Sequence, residues 1–105
     1  MMKFPQIIKL AGVSHGACQD NIKKYAGPGL CDFELVREPD NPSDKNAIRV
    51  ALFGHFKFGY IPRSIAKEIA PLMDSGRHFV AEYQSRNQHS EYDTIGLTVK
   101  IKEVN

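Results

Sequence analysis

The side chains best suited to chemistry gather in one stretch, Arg37-Glu38-Pro39-Asp40-Asn41-Pro42-Ser43-Asp44-Lys45-Asn46-Ala47-Ile48-Arg49-Val50. Asp40, Asn41, Ser43, Asp44 and Asn46 carry short polar side chains that bond nearby backbone groups and so stiffen a turn. Glu38 and Asn41 each precede a proline, which pushes them toward extended backbone, and neither proline has an N–H to give to a ladder. A rigid polar loop feeding a strand is a common way to present a binding site. A self-satisfied turn has the same composition, and on composition alone the turn outweighs the site. A second group follows it. Arg49, Lys57, Arg63 and Lys67 surround a segment carrying Phe53, His55, Phe56, Phe58 and Tyr60. Cations and ring faces together are what a single-stranded nucleic acid takes, at about 1–3 kcal/mol per stacked base. The alternation of Phe56, Phe58 and Tyr60 equally predicts one core-facing side of a strand, and periodicity favours that reading.

Other chemistries fit less well. Ser64 and Lys67 have the spacing of a serine acyl-enzyme pair, but the companion Ser-Asp-Asn and Lys-Thr-Gly motifs are missing, and a solvated helix face accounts for both. His15, Cys18, Cys31 and His55 could be assembled into a zinc site only at spacings that match no zinc module. Asp40 to Asp44 fails as a calcium loop, because Pro42 stands at its third position and Lys45 at the sixth, where glycine is needed. Gly27-Pro28-Gly29 lacks the Gly-Lys-Ser/Thr of a phosphate loop. His78 and His89 fall at a strand start and in a polar loop, where solvated side chains are the default. No enzyme, metal or cofactor is expected.

These residues need a scaffold to hold them, and 105 residues allow one modest core. Ile7 to Ala11 predicts a strand, Gly12 to Gly16 a turn, and Cys18, Ile22 and Tyr25 one or two turns of helix ending at Ala26-Gly27-Pro28-Gly29. Leu30 to Val36 alternates, with Cys31, Phe33 and Leu35 on one face. Ile48 to Leu52 and Phe56 to Ile61 form a hairpin around Phe53-Gly54-His55-Phe56. After Pro62, the stripe of Ile65, Ile69, Leu72 and Met73 predicts the main helix, capped by Gly76, with Pro71 bending it or tightening its last turn. His78 to Arg86 and Thr94 to Val104 complete six strands, with a polar loop at 87–93 between them. Antiparallel neighbours and one main helix predict a mostly β fold, a small curled sheet or partly open barrel capped by that helix. Closure would remove sheet edges that short strands otherwise leave exposed.

Composition bounds the partners weakly. Net charge is only +2. Segment 37–67 holds six basic and three acidic residues, against four and three before it and four and six after it, so the positive excess surrounds the opening stretch. No apolar run approaches the ~20 residues of a membrane span. Met1-Met2-Lys3-Phe4-Pro5 leads into no long apolar segment and is not expected to be a signal peptide. With that start, Cys18 and Cys31 suggest reduced thiols in a cytoplasm.

The chain resembles the HIRAN domain family. The likeness is carried by the opening stretch, then by Phe58-Gly59-Tyr60-Ile61-Pro62-Arg63, then by Ile69-Ala70-Pro71-Leu72-Met73-Asp74-Ser75-Gly76, in register over nearly the whole chain. The resemblance implies a modified OB-type barrel. It also implies a non-enzymatic module that binds single-stranded DNA without sequence preference, at a free 3′ end in the best understood members, in DNA repair, replication or processing. By that likeness Asp44 contacts the terminal hydroxyl, while Ser43, Tyr60 and Arg63 line the same pocket. Lys45 and Arg49 are candidates for neutralising the DNA backbone. End-binding members carry aromatic and basic residues after the first strand, where this chain has Ser14-His15-Gly16, and often tyrosine where it has Ser43. His15 is the residue there that could stack in place of an aromatic. The alternative is a protein-interaction adaptor that docks a helicase or nuclease through the same surface or a sheet edge.

Overall fold

The computed structural model describes residues 2–29, 31–88 and 94–104. Six strands and two helices follow in the order β1 (Gln6–Lys9), α1 (Cys18–Tyr25), β2 (Phe33–Arg37), β3 (Ile48–Leu52), β4 (Phe56–Tyr60), α2 (Arg63–Asp74), β5 (His78–Gln88) and β6 (Ile95–Val104). They make one sheet, ordered β1-β6-β5-β2-β3-β4, in which every pairing is antiparallel. The sheet curls until its ends meet. Leu10, just past β1, donates its N–H to Leu97 of β6 (2.9 Å), and Ala11 exchanges both backbone hydrogen bonds with Tyr60 at the end of β4, each 2.8 Å. This two-residue seam joins the two edges and leaves the rest of the barrel partly open.

Gly59 is what lets the seam close. A Cβ at that position would lie 2.7 Å from the Ala11 carbonyl oxygen, so any larger residue would push the two backbones apart. Inside the barrel, Phe33 packs edge-on against Phe58 with ring centroids 4.8 Å apart, among fully buried Ile48, Val50, Leu97, Val99 and Ile101. The alternation predicted for β3 and β6 is thereby realised as an inward apolar row.

The helix α1 lies across the opening, burying Cys18 and Ile22. Its polar side ties the edges together. Gln19 donates to the Val13 and Ile95 carbonyls and accepts from the Ile95 N–H, and Asn21 donates to the Lys57 carbonyl at 2.9 Å. The helix α2 buries Ala66, Ile69 and Ala70, so its inward face is centred on Ile69 and flanked by partly buried Ile65, Leu72 and Met73. Pro71 sits inside α2. The helix runs on to Asp74 and ends in a Schellman turn, in which Gly76 donates to Met73 and Arg77 donates to Leu72, at 3.0 and 3.1 Å.

Three local expectations are corrected. Strand β2 starts at Phe33 rather than at residue 30, and Cys31, expected on the apolar face, is exposed, because pairing with β5 reaches only Phe33 and Glu34. Leu30 lies outside the described residues. Strand β5 runs on to Gln88 instead of stopping at Arg86, sustained by β6 opposite it, while residues 89–93 of the expected loop, His89 included, lie outside the described residues. The single inward face expected for Phe56, Phe58 and Tyr60 is broken by a bulge. Val50 pairs with Gly59 but Ala51 pairs with Lys57, so Phe58 is the extra residue in β4. Phe58 alone is fully buried, whereas Phe56 rests half-buried on Tyr25 and Tyr60 turns outward.

Candidate functional site

A pocket of about 310 Å³ opens at the seam, and four elements meet in it. Ala11 and Gly12 come from the seam, Asn41, Ser43, Asp44 and Ala47 from the β2–β3 loop, Tyr60 and Ile61 from the end of β4, and Arg63 from the first residue of α2. Gly12 adopts a φ of +67°, a conformation costly for other residues, which turns the chain away from the seam. A Cβ there would lie 3.6 Å from the Tyr60 ring and 3.8 Å from the His15 ring, so Tyr60 and His15 flank Gly12.

The loop is held by its own side chains. Asn41 Oδ1 accepts from the backbone N–H groups of Ser43 (2.9 Å) and Asp44 (3.2 Å), and Asp44 Oδ1 accepts from the N–H of Asn46 (2.9 Å). Backbone bonds from Glu38 to the Ala47 carbonyl and from Ala47 to the Asp44 carbonyl close its base. The other carboxylate oxygen of Asp44, Oδ2, stands 3.6 Å from Arg63 Nε, and Arg63 also donates to the Ser43 carbonyl. Asp44 is largely shielded while Arg63 is 71% exposed. The pocket therefore presents a carboxylate oxygen with lone pairs to spare, next to a largely solvated guanidinium.

Behind the pocket stands Glu38. Its Oε1 accepts from Asn41 Nδ2 (3.0 Å) and the Tyr60 hydroxyl (2.9 Å), and its Oε2 accepts from Arg49 Nη1 (3.0 Å) and shares the same hydroxyl (3.1 Å). Burial pushes the Glu38 carboxyl up, but the bonds from Asn41 and Tyr60 and the charge of Arg49 outweigh it, and its pKa ends below the ordinary carboxylate value. Glu38 thus fixes which way the Asn41 amide points, and with it the loop N–H groups, while also holding Tyr60. The bulge makes this possible. Arg49 pairs with Tyr60 across the ladder, and the extra residue at Phe58 lets Lys57 reach the same side as Tyr60, its ammonium 3.3 Å from the hydroxyl oxygen and 4.7 Å from the ring centroid.

Of the residues singled out in the sequence, Ser43, Asp44, Tyr60 and Arg63 meet in this pocket. Lys45 is exposed beside Asp44, and Ser14 and His15 are exposed on the turn beyond Gly12. Arg49 does not reach the pocket, since its guanidinium is paired with Glu38. Ser64 and Lys67 lie exposed on α2, and the two cysteines are free and apart, Cys18 buried and Cys31 exposed. Among the described residues, no three His, Cys, Asp or Glu side chains gather as metal ligands would, and no helix is long and apolar enough to cross a membrane. Sequence reasoning reads Asn41 only as a turn former and Lys57 only as one of four cations around the aromatic segment, and it gives Glu38 and Gly12 no part in the site. Glu38 has no local signal for that part, because it finds its partners 11 and 22 residues away.

The HIRAN domain model matches residues 6–104. The chain belongs to the HIRAN family. Among curated proteins this HIRAN domain is 38% identical over 64 residues to a Fanconi-associated nuclease 1 homolog of Oryza sativa subsp. japonica, covering 58% of the chain and 6% of that protein. It is 49% identical over 41 residues to the mouse helicase-like transcription factor, covering 39% of the chain and 4% of that protein. The matched part is thus a small fraction of either relative. Among solved structures, a Lactobacillus plantarum protein superposes with a TM-score of 0.70 at 25% identity, over 92% of this chain and 89% of that one. The HIRAN domain of human HLTF superposes at 0.61 and 18% identity, over 93% and 73%. Both likenesses agree with the curled, six-stranded OB-like barrel described above.

Proposed function

We propose that this HIRAN domain is a non-enzymatic module that binds single-stranded DNA without sequence preference and seats a free 3′ end in the seam pocket. The relatives bear the names of a nuclease homolog and a helicase-like transcription factor, which supports a DNA-related binding role. The observation that carries the finer reading is the pairing of Asp44 Oδ2 with Arg63 at the pocket mouth. A carboxylate accepts a hydrogen bond from a terminal hydroxyl and repels a terminal phosphate. Arg63, released from Asp44 and Ser43, is placed to meet the last phosphodiester. Tyr60 offers a ring to the terminal base, Ser43 lines the loop side, and Ser14, His15 and Lys45 are exposed on the chain next to lining residues Gly12 and Asp44. Arg49 serves here by holding Glu38 rather than by touching DNA. Contacts of this kind fix position and polarity and read no bases.

The test is a competition between 5′-labelled oligonucleotides of one sequence carrying a 3′ hydroxyl, a 3′ phosphate, or no end at all in circular form. The reading expects the hydroxyl form to win by about tenfold, the weight of one hydrogen bond to a charged group. Equal competition by all three would defeat the end-reading version. A second reading, an adaptor docking a helicase or nuclease, is favoured by Phe53, which is 68% exposed at the β3–β4 hairpin tip, away from the pocket. A partner retained after nuclease treatment and lost on Phe53→Ser, with no DNA binding by the isolated chain, would support it instead.

A further inference from the structure

Arg49 and Lys57 lie on the same outward side of β3 and β4, and they are partnered differently. Arg49 bonds Glu38, so its charge is matched. Lys57 forms no ion pair among the described residues; its ammonium meets the neutral oxygen and the ring of Tyr60. The Tyr60 hydroxyl gives its proton to Glu38, which leaves its oxygen as an acceptor for Lys57. Glu38 therefore orients Lys57 through Tyr60 without neutralising it by contact. The bulge at Phe58 sets the side chain's direction, and Asn21 pins the Lys57 carbonyl. An ammonium has three N–H donors, and with one engaged by Tyr60 two are available. The lysine also covers one face of the Tyr60 ring, so a base can stack only on the other.

We propose that Lys57 is a phosphate-binding residue of this site, contacting the backbone one or two nucleotides before the 3′ end that the pocket receives. This rests on the reading above and adds a contact to it. Where the chain lacks aromatic stacking surface at Ser43 and Ser14-His15-Gly16, a fixed cation beside Tyr60 supplies sequence-independent hold on the strand instead.

The experiment is a salt titration of Lys57→Gln, Lys57→Arg and wild type against a single-stranded oligonucleotide with a 3′ hydroxyl. Losing one phosphate contact lowers the slope of log K against log salt by about 0.7. Lys57→Gln should show that drop, with affinity down about threefold at low salt, while the preference for 3′ hydroxyl over 3′ phosphate stays as in wild type. Lys57→Arg should keep the slope. A neutral methylphosphonate at the last or next-to-last linkage should remove the difference between wild type and Lys57→Gln. An unchanged slope in Lys57→Gln overturns the proposal, and so does a slope loss that no methylphosphonate near the end reproduces. A wild type that binds but ignores 3′ blocking, with Lys57→Gln still lowering the slope, would remove the end-reading and leave the phosphate contact standing. No binding by wild type would remove both.

Discussion

On the β5–β6 side of the barrel, cations lie against carboxylates. Lys102 sits 2.7 Å from Glu82 and 3.4 Å from Asp32, Lys100 stands 3.9 Å from Glu82, and Arg77 makes two bonds of 2.7 Å to Glu103. On the seam side, among the described residues, Lys57 meets only a neutral oxygen and a ring, Lys45 is exposed, and Arg63 reaches Asp44 at 3.6 Å and the Ser43 carbonyl while remaining mostly in water. Exposed pairs contribute little stability each, so the β5–β6 set matters chiefly for register: Glu82 stands directly opposite Lys100 in the ladder. The difference teaches where a ligand charge would be welcome. Matched cations gain nothing from a phosphate, whereas loosely partnered ones gathered at a pocket do.

The largest effect expected from breaking this contrast is at the seam. Gly59→Ala places a methyl group 2.7 Å from the Ala11 carbonyl, and the resulting backbone shift should cost about 1–3 kcal/mol. Urea denaturation should show a lower midpoint, and DNA binding should fall with it because Ala11 and Gly12 leave the pocket. Wild-type stability in that variant would mean the seam is softer than its geometry implies.

Next in size is Asp44→Ala, expected to weaken binding to a 3′ hydroxyl end by about tenfold, the size of the preference it would supply. Blocked or circular strands should change little, as anisotropy titrations would show; equal losses on every strand would remove Asp44 from end recognition. Glu38→Gln should follow, at about three- to tenfold, since the amide cannot accept from Asn41, Arg49 and Tyr60 together. Its independent sign is faster hydrogen exchange at the Ser43 and Asp44 N–H groups, which Asn41 now shields. Unchanged exchange would show that the loop stands without Glu38.

Acid acts on the same carboxylate. The folded Glu38 has a lowered pKa, so its contribution is complete above the ordinary carboxylate value and is lost as pH falls through the folded value beneath it. Protection of the loop amides, taken relative to their intrinsic exchange rate at each pH, should therefore hold steady at neutral pH and fall only in strong acid; a loss of protection near pH 6 would contradict the assignment. The smallest effect belongs to the other half of the comparison. Lys102→Gln should leave DNA affinity and its salt slope as in wild type, and a slope loss matching that of Lys57→Gln would dissolve the distinction between the two faces.

Much of this architecture is legible in the sequence, because it rests on local periodicity. The strand rows of Ile48, Val50 and Leu52 and of Ile95, Leu97, Val99 and Ile101 are buried as alternation predicts, and Gly76 ends α2 as placed. The pocket residues Ser43, Asp44, Tyr60 and Arg63 were legible through a long family motif, not through spacing. What stayed hidden depends on long-range closure. The bulge at Phe58 re-aims Tyr60 and Lys57 against simple alternation, and it arises from register with β3 rather than from any turn residue. Ala11 and Gly12 look like the end of a strand and the start of a turn until the sheet curls far enough for Tyr60 to reach them. Glu38 reads as a residue before proline, and only the meeting of β2, β3 and β4 makes it the support of the pocket.

The central claim is that the seam pocket, and not the β5–β6 face, receives a free 3′ end. The most direct measurement is an amide chemical-shift titration of the labelled domain with a short single strand ending in a 3′ hydroxyl. The account expects the largest shifts at Gly12, Ser43, Asp44, Tyr60 and Arg63, with Glu82, Lys100 and Lys102 unmoved, and expects these shifts to shrink when the same strand carries a 3′ phosphate. Shifts centred on the β5–β6 face, or a seam response indifferent to the terminal phosphate, would contradict it.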